Sequence, residues 1–342
     1  MRTRMLWRRL LSAGFGIDLG TANTVVWSPR RGLVLDEPSV MAIRAHADRR
    51  PRPVLVGGPA RDLVGRTAVG MMTVRPLRDG VITDLEMARA FIIAILHLVA
   101  RRPWERLRPQ VVLGFPIGAT SAERHALAEA AEAAGIGVVW LVPEPVAGAL
   151  GCGVDPLDPR AHLVVDVGGG TAEVTAFCYG DILAHRSCRT AGDEMTTALF
   201  QYLRDQHGVV VGELTAEDIK LRVGADDGGT VAVEGLDVGS GRPRLVTLDA
   251  EEVVEAVRPT SDDIIQVLAS CVEQLPPQTV GDIMGEGVIA FGGGAMLRGF
   301  HGLLEDALGF RVRLADQPLT CVAEGAASCL NRPEVVSAYG EA

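Results

Sequence analysis

The chain has 342 residues, 48% of them hydrophobic, enough for two medium-sized domains with cores of their own and too apolar for a disordered chain. Its formal charge of −10 and pI near 5.3 argue against a general nucleic-acid binder. Six cysteines without a C-x-x-C pair and seven histidines without an H-x-x-x-H cluster set aside a disulfide framework and a zinc site, and fit reduced thiols in a cytosolic protein.

Residues 1–14 differ from the rest: Arg2, Arg4, Arg8 and Arg9 precede the first acid, Asp18. At helical spacing Leu6, Trp7, Leu10 and Leu11 share one side, with Arg2, Arg8 and Arg9 on the other. This reads as an interfacial helix for an anionic membrane surface. The other readings are a disordered basic start or a degenerate signal peptide, although the apolar centre is short and a cleavage site is missing. The run Ala90 to Ala100 is too short to span a bilayer, which takes ~20 residues.

Gly16 to Trp27 follows as a strand, a Gly/Thr turn and a second strand. Gly32 to Ile43 reads as two strands around a turn, 46–53 as an Arg/Pro-rich loop, Val54 to Gly57 as a strand and Pro59 to Val64 as a short helix. Glu86 to Ala100 is an amphipathic helix ending at Arg101-Arg102-Pro103. Trp104, among arginines, reads either as a second membrane contact or as a cover over the first core. Val111 to Pro116 is a buried strand, Thr120 to Ala134 a helix with a capping box closed by Gly135, and Val138 to Val142 a strand. That strand enters the small-residue helix of Pro143 to Gly151, with Glu144 at its start.

The second hairpin is Leu163 to Val174. Gly192 to Met195 precede a helix, and Thr215 to Lys220 read as a capped helix start. Residues 224–245 are Gly/Asp-rich with short strands, and Leu248–Ala256 and Ser261–Gln274 read as two helices. Val288 to Gly299 is a strand, a triple-glycine turn and a helix start. Residues from about 333 read as a solvated tail.

The two hairpins carry the chemistry. Each is an apolar strand with one acid (Asp18, Asp166), a turn with little side-chain bulk, and a departing strand. Such turns let backbone N–H groups close on an anion. Two of them suit a nucleoside triphosphate between two lobes, with both acids at a Mg²⁺ that takes oxygen ligands. Glu144 has two readings: a partner for the helix dipole, or the group that orients or deprotonates a water in line with the terminal phosphate. Lys220 is the only lysine, where a compact ammonium is wanted or by chance. Gly292, Gly293 and Gly294 suit a base-binding turn.

Taken together, GIDLGTANT at 16–24, DEPSV at 36–40, RPLRDGVITD at 75–84, EPVAGALG at 144–151, VVDVGGGTAEV at 164–174, AGDEM at 191–195, TAEDIK at 215–220, FGGGAMLRG at 291–299 and DQPLTCVAEG at 316–325 resemble the actin-like ATPase superfamily. Within it they resemble the MreB family of bacterial actins. The resemblance implies an α/β actin-like ATPase fold with two duplicated ribonuclease H-like lobes, a nucleotide cleft and small inserted subdomains. Lobe I would comprise 15–31, 75–147 and 314–332 with an insert at 32–74. Lobe II would comprise 148–183 and 247–313 with an insert at 184–246, leaving 1–14 for the membrane and 333–342 as tail.

It further implies ATP and Mg²⁺ as cofactors. Thr21, Ala22, Asn23, Gly169, Gly170 and Thr171 would contact the phosphates, with Asp18 and Asp166 at the metal. Glu217, Asp218, Ile219 and Lys220 would hold the adenosine, and Gly292, Gly293, Gly294 and Ala295 would close over it. Glu144 matches the family's water-activating acid, with Thr171 assisting. The implied product is filament state: a weak ATPase forming double filaments of itself on the inner face of the cytoplasmic membrane, with transmembrane cell-shape and wall-synthesis proteins as partners. A nucleotide-binding paralogue with little hydrolysis and a kinase of the same superfamily are the alternative readings. The chain departs from the family pattern at Pro143, where relatives carry an acid, and at Ile117-Gly118, where they carry Ser-Gly.

Overall fold

The two apolar acid-bearing runs become the central strands of two five-stranded sheets in the computed structural model, which describes residues 14–44, 52–67, 69–106, 108–224 and 229–341. The first sheet contains β1 (Gly14–Leu19), β2 (Asn23–Ser28), β3 (Gly32–Pro38), β4 (Gln110–Phe115) and β5 (Val138–Pro143), in the order β3-β2-β1-β4-β5. The second contains β6 (His162–Val167), β7 (Ala172–Cys178), β8 (Asp181–Cys188), β9 (Val288–Phe291) and β10 (Val312–Leu314), in the order β8-β7-β6-β9-β10. In both, the first three strands are antiparallel and the last two join in parallel. The same connectivity twice is the duplication that the paired hairpins implied.

Strand alternation sorts side chains into separate cores. Val111 and Leu113 of β4 join Phe15, Ile17, Phe91 and Ile95 in the first lobe's core, and Leu163 and Val165 of β6 join Met195, Leu199 and Leu268 in the second. Their neighbours Val112 and Val164 face a third core that lies between the sheets, with Val146, Phe291 and Val322. Sheets buried on both faces explain why β4 and β6 read as continuous apolar runs.

Two helices fill the space between the sheets, Glu144–Gly151 and Cys321–Cys329. Their backbones touch: a Cβ on Gly325 would lie 1.7 Å from the Ala147 carbonyl oxygen, and one on Gly151 would lie 1.9 Å from that of Cys321. Gly325→Val should therefore force the helices apart and cost about 3 kcal/mol of stability, read as a lower urea midpoint.

Several expectations are corrected. Gly32–Pro38, assigned to the first insert, is the edge strand of the first sheet, paired with β2 through Leu35↔Val26. The first insert's own sheet is Met41–Arg44, Leu55–Val56 and Met71–Val74. The strand Asp181–Cys188 carries the second lobe's sheet past residue 183, and the second insert's sheet is Val209–Val210, Thr230–Asp237 and Pro243–Asp249. The two helices read at 248–274 are mostly one, Ala250–Ala269, running through Pro259. Proline removes one helical hydrogen bond, but Val253, Val257, Ile264 and Leu268 keep one buried face in register across it.

Residues 333 onward are no solvated tail. Pro333–Tyr339 is a helix whose Val335 and Tyr339, four apart, are buried in the third core. The Tyr339 hydroxyl donates to the Pro156 carbonyl at 2.7 Å and accepts from the Gly180 N–H at 3.1 Å. The basic start, apart from Gly14, most of the loop at 46–53, and the Trp104 side chain lie outside the described residues.

Candidate functional site

The two glycine turns meet tip to tip. A Cβ on Gly169 would stand 2.8 Å from the Ala22 Cβ, and one on Gly170 would stand 2.6 Å from the Thr21 hydroxyl oxygen. Hydrogen bonds brace each turn. The Gly168 N–H donates to the Thr171 carbonyl at 2.9 Å, and Thr21 is buried with its hydroxyl accepting from the Gly80 N–H at 2.8 Å. Thr171 is half-buried, its methyl 2.9 Å from the Cβ position of Gly80. Asn23 is exposed and its amide donates to Asp36 on β3 at 3.0 Å. Thr21, Ala22, Gly169 and Gly170 are thus brought together.

Beneath the turns lie the acids. Burial, with the Asp36 charge, pushes the Asp18 carboxyl up to about 7. Burial, then Asp18, Glu173 and the Cys152 thiol, hold Asp166 well above the usual carboxylate range. Glu144 is raised well above its ordinary value by burial and then by Asp18, Glu173 and Asp166. Asp18 thus acts on both Asp166 and Glu144, and Asp166 on Glu144, a like-charge setting that a divalent cation would relieve. Among the described residues no three His, Cys, Asp or Glu side chains converge as a metal cage. Glu144 also lines a small pocket with Gly80, Pro116 and Arg124.

The lysine stands behind the second turn. Lys220 is buried, and its ammonium donates to the Gly192 carbonyl at 2.7 Å and the Thr196 hydroxyl at 2.8 Å, with Glu217 at 2.7 Å. Gly192 and Asp193 in turn donate their N–H groups to the Gly168 and Gly169 carbonyls at 3.2 and 2.8 Å. Glu217 and Lys220 therefore buttress the second glycine turn. The Asp218 and Ile219 side chains depart from the sequence reading. Asp218 pairs with Arg61 of the first insert at 2.6 Å. Ile219 is 3% exposed in the second core, because helical spacing turns it inward with Ala216.

Gly292 closes on the acid strand. Its φ of +85° and a Cβ position 2.4 Å from the Val167 carbonyl oxygen and 2.6 Å from Asp166 Oδ1 admit only glycine. Gly294 lies against Val167, Gly293 is exposed, and Ala295 is buried in the second core.

Sequence reasoning missed the links across the cleft. Arg75 pairs with Glu213 at 2.8 Å and with Asp193 at 3.5 Å, and together with Arg61–Asp218 it ties the first insert to the second. Such partly exposed pairs contribute about 1 kcal/mol or less each. Glu173 was missed too. It is 1% exposed and accepts hydrogen bonds from Ile117 and Gly118 of the other lobe. The available signal was a charged residue at the place where the first hairpin has Val25.

Comparison with known proteins gives consistent relatives. The family model described as MreB/Mbl protein matches residues 12–338. The cell shape-determining protein MreB of Escherichia coli (strain K12) is 36% identical over 339 residues, 98% of this chain and 97% of that one. The cell shape-determining protein Mbl of Bacillus subtilis (strain 168) is 37% identical over 323 residues, 92% of this chain and 95% of that one. The crystal structure of MreB5 of Spiroplasma citri bound to AMPPNP superposes with a TM-score of 0.86 at 30% identity, covering 94% of this chain and 97% of that one. A MamK double helical filament shares the fold at a TM-score of 0.76 and 20% identity, covering 94% of this chain and 99% of that one.

Proposed function

This chain belongs to the MreB/Mbl protein family and has its actin-like fold, and from that premise we propose that it is an ATP-dependent filament-forming protein that determines cell shape from the inner face of the cytoplasmic membrane. The observation that carries the reading is the tip-to-tip meeting of the two glycine turns above Asp18, Asp166 and Glu144. MreB5, 30% identical, has been crystallised with AMPPNP and with ADP.

In this reading the backbone N–H groups of the two turns bind the phosphates, where electrostatic preorganisation is worth most. Asp18 and Asp166 would hold Mg²⁺, which would neutralise charge on the phosphate oxygens. The Glu144 carboxylate takes the proton of the attacking water and Thr171 orients that water. Glu217 and Lys220 support the nucleotide from behind the second turn, and Gly292 to Gly294 admit the flat base. Phosphate loss removes a bridge between the lobes and so shifts affinity for neighbouring copies in the filament.

Among the described residues no helix is long and apolar enough to cross a membrane. Attachment is assigned to residues 1–14, where helical spacing in the sequence would put Leu6, Trp7, Leu10 and Leu11 opposite Arg2, Arg8 and Arg9; so short a segment would be weak alone and effective when many copies act together. The test is sedimentation with ATP–Mg²⁺ and anionic liposomes while phosphate release is followed. Filaments that pellet and release phosphate slowly are expected, and deleting residues 1–11 should sharply reduce liposome binding while filaments persist. A chain that neither pellets nor releases phosphate would overturn the reading, and turnover only with a small hydroxylated substrate would replace it with a kinase.

A further inference from the structure

The two hairpins align residue for residue from Asp18 to Val25 and from Asp166 to Glu173. Strand pairing repeats as well: Asp18 faces Val25 on β2, and Asp166 faces Glu173 on β7. The final position differs in kind. Val25 fills its place as a buried apolar side chain, 2% exposed, whereas Glu173 puts a carboxylate there with 1% exposure. Burying a charge without partners is costly, so the donors that face it are informative.

Both carboxylate oxygens are occupied. Oε2 accepts from the Ile117 N–H at 2.9 Å, and Oε1 accepts from the Gly118 N–H at 3.2 Å and from the Ser187 hydroxyl at 2.7 Å. Ser187 lies on β8 directly opposite Glu173. Ile117 and Gly118 belong to the turn after β4, in the other lobe. The fit is tight: a Cβ on Gly118 would lie 2.7 Å from the Ser187 hydroxyl oxygen. Because the donors are backbone groups, the presence of isoleucine at 117 leaves them intact.

The same turn reaches the reacting side of the site. A Cβ on Gly114, at the end of β4, would touch Glu144 Cγ at 2.9 Å. Pro116 and the Thr171 methyl flank Gly80, at 2.8 and 2.9 Å from its Cβ position. Glu144 follows β5 in the first lobe, while Thr171 precedes Glu173 by two residues in the second.

We infer that Glu173 is a positioning residue of the hydrolytic site, an interlobe clasp that fixes the Ile117–Gly118 turn against the second hairpin and so sets the spacing between Glu144 and Thr171. The inference rests on the ATP-hydrolysing reading given above. Its donors and acceptor are filled within the protein, so Glu173 acts through Glu144 and Thr171 and touches no ligand itself. A relative movement of the lobes has to break or carry this clasp, which ties hydrolysis to one arrangement of the lobes.

The test compares Glu173→Gln with the unmodified full-length chain in three measurements. A glutamine keeps the shape but directs an NH₂ group at donors. Single-turnover phosphate release should fall roughly a hundredfold, the scale of a small misplacement of reacting groups. Affinity for AMPPNP–Mg²⁺ should stay within about threefold, as expected when an interaction counts in the transition state more than in binding. Amide hydrogen exchange at Ile117 and Gly118, without nucleotide, should accelerate about tenfold or more.

Ser187→Ala keeps the charge and both backbone donors, so it reports even if loss of the carboxylate prevents folding. It should slow release about threefold, with no further loss when combined with Glu173→Gln. Wild-type release by Glu173→Gln, or release and AMPPNP affinity lost together, would overturn the positioning role. Unchanged exchange would overturn the clasp. If the unmodified chain binds no nucleotide, the functional reading fails and takes the positioning role with it. The nucleotide-free exchange experiment separates that failure from failure of the clasp.

Discussion

Glu144→Gln is expected to bind AMPPNP–Mg²⁺ as the unmodified chain does, within about twofold, while phosphate release falls roughly a hundred- to a thousandfold. The reason is the division of labour in the site. Binding is assigned to backbone N–H groups of the two turns and to the acids at Asp18 and Asp166, all of which the substitution leaves in place. General-base assistance is worth about 10²–10⁴ in rate, and a glutamine can orient a water but cannot take its proton. Glu144 stands in the first turn of its helix, and the residue before it, Pro143, makes no side-chain capping hydrogen bond. Equal loss of binding and release would show that Glu144 serves the ground state, and unchanged release would remove it from the mechanism.

For Asp166→Asn the expected signature has two opposite parts. Affinity for Mg²⁺–nucleotide should fall at least about tenfold, because one of two proposed ligand charges is gone. The nucleotide-free protein should melt higher, by about 2–4 °C, the shift of roughly 1 kcal/mol in a domain of this class. Asp166 is 8% exposed, and besides burial its neighbours Asp18, Glu173 and Cys152 push its carboxyl upward. An amide of the same shape removes that repulsion, as expected where a site holds charge for function at a cost in stability. Parallel melts with saturating ATP–Mg²⁺ should reverse the order, since ligand that binds only the folded chain stabilises it by mass action, ~2.7 kcal/mol at a hundred times Kd. A lower melting point without nucleotide would mean that Asp166 supports the fold.

Much of this was legible in sequence because it depends on local chemistry. The Thr120 capping box forms with Glu123 as read, closed by Gly135 at a φ of +95°. The repeated hairpins fold as hairpins, and the strand–helix passage into Glu144 is local too. What failed were assignments that depend on where a segment packs. Val335 and Tyr339 read as part of a polar tail because two apolar residues make a weak pattern, yet they fill a gap between the sheets. Residues 248–274 read as two helices, yet the buried face of Val253, Val257, Ile264 and Leu268 carries one helix through Pro259.

The site divides in the same way. By itself the sequence pointed to the two glycine turns, to Asp18 and Asp166 on the strands before them and to Glu144 as a candidate site, because such turns and strand-borne carboxylates are read within a few residues. Only the tertiary structure decided that Asp218 faces Arg61 instead of the cleft interior, that Ile219 points into the core, and that Lys220 braces the turn at Gly168 through Gly192. It alone joined Glu173 to Ile117 and Gly118. These partners lie far apart in the chain and meet through backbone donors, which leave no side-chain signature, so the contact exists only once the two lobes are packed.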